Sequence, residues 1–326
     1  MKTIVIGPPG TGKTTTLLNL VDKYLKKTDP DKIGYFAFTQ KAAYEARDRA
    51  MEKFNLTEDD LPYFRTLHSL AFRRLGIQKD NVMQRSHYEA LGKELAFPVD
   101  YEDNMVDMNG IFSTKSDYLR IIQLSKLKNI SLEKQYDLKE HIQDVEFDKL
   151  KIISSELESY KKEYNLIDFN DMILDFTKSD TCPKFDVVFI DEAQDLSPIQ
   201  WEMVEILRKN SKYVILAGDD DQAIYGWAGA DVKKFQDITS KKDIILPQSY
   251  RVPKEVQNIA DKILDRIPDE RRIKKIWKAR DEEGVVNYIS SIEDAPLEKG
   301  DWLILARIND RLEKLKPILK DLGVYF

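Results

Sequence analysis

Thr3-Ile-Val-Ile-Gly-Pro-Pro-Gly-Thr-Gly-Lys-Thr-Thr-Thr-Leu-Leu18 decides how this chain is read. Thr3 to Ile6 is short, apolar and strand-like. Gly7 to Gly12 is a turn rich in glycine and proline. Lys13 opens a helix whose apolar positions Leu17, Leu20, Val21, Tyr24 and Leu25 recur at helical spacing. Within this strand, turn and helix, Gly7-x4-Gly12-Lys13-Thr14 matches the phosphate-loop pattern in full. Glycines let successive backbone N–H groups curl toward one centre, and the helix points its positive end at the same place. Gly7, Pro8, Pro9, Gly10, Thr11, Gly12, Lys13, Thr14 and Thr15 are the candidate nucleotide-binding residues. Lys13 is expected to reach the β and γ phosphates, and the Thr14 hydroxyl to ligate Mg²⁺.

Far along the chain, Val187-Val-Phe-Ile190 reads as a strand buried on both faces, ending at Asp191 and Glu192. Alone, this is a metal-binding strand end or a solvated acidic turn. In an open α/β sheet, ligands gather at the carboxyl ends of strands. A phosphate loop elsewhere therefore gives the two acids separate tasks. Asp191 is expected to hold magnesium, and Glu192 to polarise the water that attacks the γ-phosphate. An acid beside the metal ligand favours hydrolysis over phosphate transfer to a small molecule.

The bulk composition permits this and narrows the rest. The 326 residues are enough for two ordinary domains. With 51 basic and 57 acidic side chains the net charge is −6, so nucleic acid would have to be held in a local groove. Cys182 is the only cysteine, which excludes an internal disulfide and fits a reducing, cytoplasmic location. No apolar run approaches the ~20 residues of a membrane span.

Strand and helix alternate through Ile33 to Phe38 and Lys41 to Lys53, as in a parallel sheet with helices over it. From about Ile77 to Asn165 the pattern is helical, clearest over Ser116 to Asn129 and Ser131 to Tyr164, with a loop at Asp107-Met-Asn-Gly110. The α/β pattern resumes at Val187, with helix Ile199 to Lys209 and strands Tyr213 to Gly218 and Asp243 to Leu246. Pro253 stands at a favoured early helix position. Val285 to Ile289 and Trp302 to Ala306 read as further strands, followed by helix Asp310 to Leu322. The expected architecture is α/β: a RecA-like P-loop parallel sheet, 1–76 and 166–250; an inserted helical subdomain, 77–165; and the start of a second RecA-like domain, 251–326, which is expected to be incomplete.

Six segments resemble, in order, superfamily 1 DNA helicases of the UvrD/Rep/PcrA type. They are the phosphate loop, Phe38-Thr-Gln-Lys-Ala-Ala43, Thr66-Leu-His-Ser69, Asp191-Glu-Ala-Gln-Asp-Leu-Ser-Pro-Ile-Gln200, Gly218-Asp-Asp-Asp-Gln-Ala-Ile-Tyr-Gly-Trp-Ala-Gly-Ala230, and Ser249-Tyr-Arg251. Asp168-Phe-Asn-Asp171 resembles a segment that the family carries before its Asp-Glu strand. The resemblance implies ATP hydrolysis with Mg²⁺ coupled to 3′→5′ movement on single-stranded or partly duplex DNA. It implies Gln222 as γ-phosphate sensor, Arg251 as arginine finger and Tyr250 as the ring stacked on adenine. A loop polar residue, a surface ion pair and a core tyrosine are the alternatives from the residues alone. For DNA it implies Phe38, Thr39, His68, Tyr225 and Trp227, with Lys41 on a phosphate or simply solvating a helix end. Trp227 is flanked by Gly226 and Gly229, as in a loop; core packing is its alternative. His68 reads equally as a polar residue at a helix start, and His87 and His141 as surface residues.

The chain departs from the family in three ways. No Gln-bearing helix precedes the first strand, Ala228 stands where the family commonly has Arg, and the family's later Gln-x-x-His-x-x-Lys-Gly-type segment and second arginine finger do not occur. The expectation is therefore ATP binding, weak hydrolysis and little unwinding by this chain alone, either because the sequence is a fragment or because another chain supplies the missing motifs. Two rival readings are a nucleic-acid-binding regulator without motor action and a phosphate-loop switch not acting on nucleic acid.

Overall fold

Alternate residues of the central strands enter two different cores. In the computed structural model, which describes residues 2–97, 116–140, 144–240, 242–297, 299–306 and 309–325, six strands form one sheet. They are β1 (Lys2–Ile6), β2 (Ile33–Ala37), β3 (Phe64–Thr66), β4 (Phe185–Ile190), β5 (Ser211–Gly218) and β6 (Lys242–Ile245), in the order β3-β2-β4-β5-β1-β6. Every pairing is parallel. Val5, Tyr35, Val187, Phe189, Ile215 and Ala217 enter one core; Ile4, Ile6, Phe36, Val188, Ile190, Val214 and Leu216 enter the other. The two-residue repeat of a strand thus produces a sheet covered on both faces, and explains the unbroken apolar runs.

On the first face lie α1 (Lys13–Leu25) and α2 (Gln40–Phe54). Leu17, Leu18 and Val21 of α1 are buried there, and Ala43, Ala46 and Ala50 bring α2 close to the sheet. The opposite face is covered by α3 (Leu67–Arg74), α8 (Phe169–Lys178), α9 (Pro198–Lys209) and α10 (Val232–Gln236). Local chemistry starts these helices where the sheet needs them. The Thr39 side chain accepts from Ala42 N, and reciprocal caps join Asp168 to Asp171 and Ser197 to Gln200.

Between the two halves of the sheet, α4 (Arg85–Glu94), α5 (Asp117–Leu127), α6 (Leu132–Asp137) and α7 (Phe147–Glu163) enclose a third core that includes Tyr88, Leu91, Leu119, Ile122, Leu150, Ile153 and Leu157. Helix α5 is the joint, because its Leu124 and Leu127 enter the sheet's core while Leu119, Ile121 and Ile122 enter the helical one. A buried ionic knot locks the joint. Lys161 Nζ lies 2.9 Å from Asp168 Oδ2 and 2.5 Å from Asp171 Oδ2, and Lys126 Nζ lies 3.1 and 2.8 Å from the same two side chains. Burial alone would raise the Asp168 carboxyl, but the two ammonium groups overcome it and hold it below the usual range.

The expected single helical stretch Ser131 to Tyr164 is two helices, α6 and α7, with 144–146 non-helical between them. Strand β3 escaped the sequence reading: it has only three residues, too few for a repeat. Val285 to Ile289 and Trp302 to Ala306 are not strands. Most of their apolar residues stand exposed, Tyr288 at 89% and Leu303 at 82%, without the ladder of backbone bonds that makes a strand. Helices α11 (Lys254–Leu264) and α12 (Asn309–Asp321) occupy the expected positions, with Pro253 as cap to α11. The loop expected at Asp107 to Gly110 and His141 lie outside the described residues. No helix among the described residues is long and apolar enough to cross a membrane.

Removing one cation from the knot leaves buried carboxylates short of charge. Lys161→Met is expected to lower unfolding free energy by about 3–5 kcal/mol, measured by urea titration.

Candidate active site

Strand β1 ends beneath a loop that only glycine can build. Gly10 and Gly12 have φ of +70° and +80°, and a Cβ on Gly7 would stand 2.1 Å from Lys13 Cγ. Thr11 ties the loop with an Oγ1–H to the Pro8 carbonyl at 2.8 Å. Lys13 is buried and its Nζ donates to the Gly7 carbonyl at 3.0 Å. Thr14 is half-buried behind it and Thr15 is exposed.

Two strands away, β4 delivers Asp191 to the same edge. Asp191 is 3% exposed, and its Oδ2 accepts from Thr14 Oγ1 at 3.1 Å and from the Tyr35 hydroxyl at 2.8 Å. Burial and then the Glu192 charge raise the Asp191 carboxyl, against the pull of Tyr35 and Lys13. A buried carboxylate beside a hydroxyl is a hard-oxygen donor set, so these residues fit a magnesium ion. Glu192 has φ +53°, a strained left-handed conformation for a residue with a side chain. Its Oε1 lies 3.7 Å from Lys13 Nζ, and its Oε2 accepts from Gln194 Nε2 at 2.9 Å.

The Gln194 side-chain Oε1 accepts from Asp219 N at 3.0 Å, linking β4 to the end of β5. There Gln222 Nε2 donates to Asp219 Oδ2 at 2.5 Å and stands 3.5 Å from the Gly7 carbonyl. Three residues on, the Tyr225 ring packs on Phe38 with centroids 5.3 Å apart. Trp227, two residues after Tyr225, is 49% exposed, which excludes simple core packing. Lys41 is exposed in the first turn of α2, which Thr39 caps. Gly229, at φ +88°, packs under the loop, where a Cβ would lie 3.3 Å from Leu127 of α5.

On the other side of the phosphate loop lies Ser249-Tyr-Arg251. Ser249 Oγ donates to the Pro9 carbonyl at 2.7 Å, and Tyr250 N to the Gly10 carbonyl at 2.9 Å. A Cβ on Gly10 would be 2.3 Å from Arg251 Cβ. Tyr250 is 75% exposed, so it is not a core tyrosine, and Arg251 is exposed beside it.

His68 is buried within α3, its ring 5.8 Å from Phe169, and burial pushes it down to about 4. His87 is half-buried and its Nδ1 accepts from Gln84 N at 2.9 Å, capping α4. Sequence reasoning missed Tyr35, which looks like any apolar strand position, and Gln194, whose amide bridges two strand ends. It also missed Lys275 and Arg272, which pair with Asp219, Asp220 and Asp221 and carry no motif at all.

Residues 1–243 match the model of the UvrD/REP helicase N-terminal domain. The chain belongs to that family. This UvrD/REP-type chain is 25% identical over 310 residues to the ATP-dependent DNA helicase PcrA of Staphylococcus aureus strain Mu50, covering 89% of this chain and 41% of that protein. It is 26% identical, with the same coverage, to the ATP-dependent DNA helicase PcrA of Staphylococcus epidermidis strain ATCC 12228. The chain thus spans about two fifths of the length of these curated relatives.

Asp195 lies behind Glu192 with Oδ1 buried and unpartnered. Burial and then the Glu192 charge push its carboxyl up to about 7. A carboxyl raised in the folded state costs nothing below its unfolded value of ~3.9 and most above pH 7, so stability falls as pH rises through that window. Asp195→Asn is expected to raise the melting temperature at pH 8, by about 2–4 °C per kcal/mol relieved, and to leave it nearly unchanged at pH 4.

Proposed function

We propose that this chain is the ATP-hydrolysing part of a DNA helicase that moves 3′→5′ on single-stranded DNA. One observation carries the reading. The single loop after β5 has Gln222 at the phosphate loop and, three residues later, Tyr225 packed on Phe38, with exposed Trp227 two residues further on. A change sensed at a γ-phosphate would therefore be passed along a few bonds to a surface suited to stacking bases. Residues 1–76 and 166–250 form the ATPase core in this reading, 77–165 the inserted helical subdomain, and 251–326 part of a second core domain.

The roles follow from the chemistry. Lys13 and the loop Gly7 to Thr15, through its N–H groups from Gly10 onward, hold the phosphates, and the Tyr250 ring stacks on adenine. Thr14 and Asp191 would hold Mg²⁺, which when bound neutralises phosphate charge. Glu192, oriented by Gln194, accepts a proton from the attacking water. Gln222 can donate and accept, so it distinguishes a γ-phosphate from its absence. Arg251 neutralises charge developing in the transition state. Tyr225, backed by the buried Phe38, and exposed Trp227 supply stacking, and Thr39 and Lys41 phosphate contacts. Among the described residues after Lys254 no second sheet forms, and this chain alone is expected to hydrolyse ATP slowly and unwind little.

Glu192→Gln is expected to keep ATP affinity and lose turnover by about 10²–10⁴-fold in a phosphate-release assay. Trp227→Ala is expected to weaken binding of a labelled oligo-dT by about 1–3 kcal/mol without changing ATP affinity. Unchanged oligo-dT affinity, or no stimulation of hydrolysis by single strands in the unaltered chain, counts against a DNA motor.

A further inference from the structure

Lys275 lies outside every motif that points to nucleotide or DNA. Its side chain is 1% exposed and ends among three carboxylates. It pairs with Asp219 Oδ1, with Asp220 Oδ1 at 2.6 Å and with Asp221 Oδ2 at 2.9 Å. Two of these contacts, to Asp219 and Asp220, are hydrogen bonds, and the third, to Asp221, is an ion pair. The carboxylate oxygens lie within 4.8 Å of one another, close enough to gather a metal ion, and the ammonium takes that place. Neighbouring residues reinforce the attachment. Ile273 N donates to Asp220 Oδ2 at 2.6 Å, and Arg272 binds Asp221 through Nε at 3.0 Å and Nη2 at 2.7 Å.

Asp219 is the member with consequences. Its side chain is fully buried, and so is that of Asp220 at 1% exposure. Without a cation, two carboxylates this deep would repel each other or take up a proton. The Oδ2 of Asp219 receives Gln222 Nε2, and its backbone N–H holds the Gln194 side-chain Oε1. The Gln194 amide in turn donates to Glu192 Oε2. The Asp219 carboxylate therefore orients the side chain at the Gly7 carbonyl directly, while the same residue's backbone N–H reaches the acid near Lys13 through the Gln194 side chain.

We propose that Lys275 is a positioning residue for ATP hydrolysis: its ammonium fixes Asp219, and Asp219 aims Gln222 and, through Gln194, Glu192. The proposal rests on the reading above that this site hydrolyses ATP. Lys275 touches no phosphate itself. A purely structural clamp would lower the melting temperature when removed and leave turnover intact below it. A positioning residue changes kcat more than KM, because the phosphate loop still binds nucleotide.

The test measures steady-state ATP hydrolysis of the 326-residue chain well below the melting temperature of each variant. Lys275→Met is expected to lower kcat by about 10- to 100-fold with KM for ATP within about 3-fold, and Lys275→Arg to recover it to within about 5-fold. Lys275→Met combined with Asp221→Asn removes one charge of each sign, guarding against simple misfolding, and is expected to show the same loss. Adding Lys275→Met to Gln222→Ala should cost much less than the product of the two single effects, since they act in one chain of contacts. A kcat for the charge-balanced pair within about 2-fold of the unaltered chain overturns the proposal, as do fully multiplicative effects. If the unaltered chain hydrolyses no ATP, the hydrolase reading falls and the proposal with it; normal turnover in the unaltered chain and in Lys275→Met overturns the proposal alone.

Discussion

All six strands run the same way, and everything chemical depends on that constraint. A parallel sheet collects its carboxyl ends along one edge, so segments far apart in the chain arrive side by side. Thr14 and Asp191, 177 positions apart, meet there across one intervening strand. That strand is β5, whose own end carries Gln222. The separation of β1 from β4 sets the phosphate loop and the two acids on different strands of one edge, with a third group between them. Register does the rest, because Ile6 pairs with Gly218 and Ile190 with Leu216.

Much of this was legible beforehand, for physical reasons that differ by segment. Strand β4 could be read because burial on both faces demands an unbroken apolar run. The phosphate loop could be read because only glycine tolerates its backbone. Residues that act by bridging left no such mark. Tyr35 sits in a strand where an aromatic ring is ordinary, and its hydroxyl matters only because β2 lies beside β4. Lys275 is one lysine in the basic run Arg271-Arg-Ile-Lys-Lys275, and pattern alone cannot separate it from solvated neighbours. His68 reads as a polar residue at a helix start, yet it is buried and packed against Phe169. Val285 to Ile289 shows that strand-like composition specifies a strand only when a neighbour supplies the other half of the ladder.

The helical insert is not a passenger on this arrangement. Helix α5 shares its apolar surface between two cores, and its Leu127 lies under Gly229 in the loop that carries Trp227. The ionic knot of Lys126 and Lys161 with Asp168 and Asp171 holds α5 and α7 to α8, and α8 belongs to the sheet. Well-packed elements move as units. The insert is thus mechanically continuous with the aromatic surface through contacts that involve no nucleotide.

Glu192 sits at the point where backbone preference and chemistry disagree. Its φ of +53° suits glycine, yet the turn it makes is what lets a carboxylate stand near Lys13 while Asp191 faces Thr14. Strain of this kind costs roughly 1–3 kcal/mol and persists only where surrounding structure holds it. With Glu192 in the role proposed for it, selection for a more stable fold and selection for turnover would pull this one position in opposite directions. A lineage released from the need to hydrolyse would have a downhill route at a single codon, and a stability-driven redesign of the protein would be drawn to the same change.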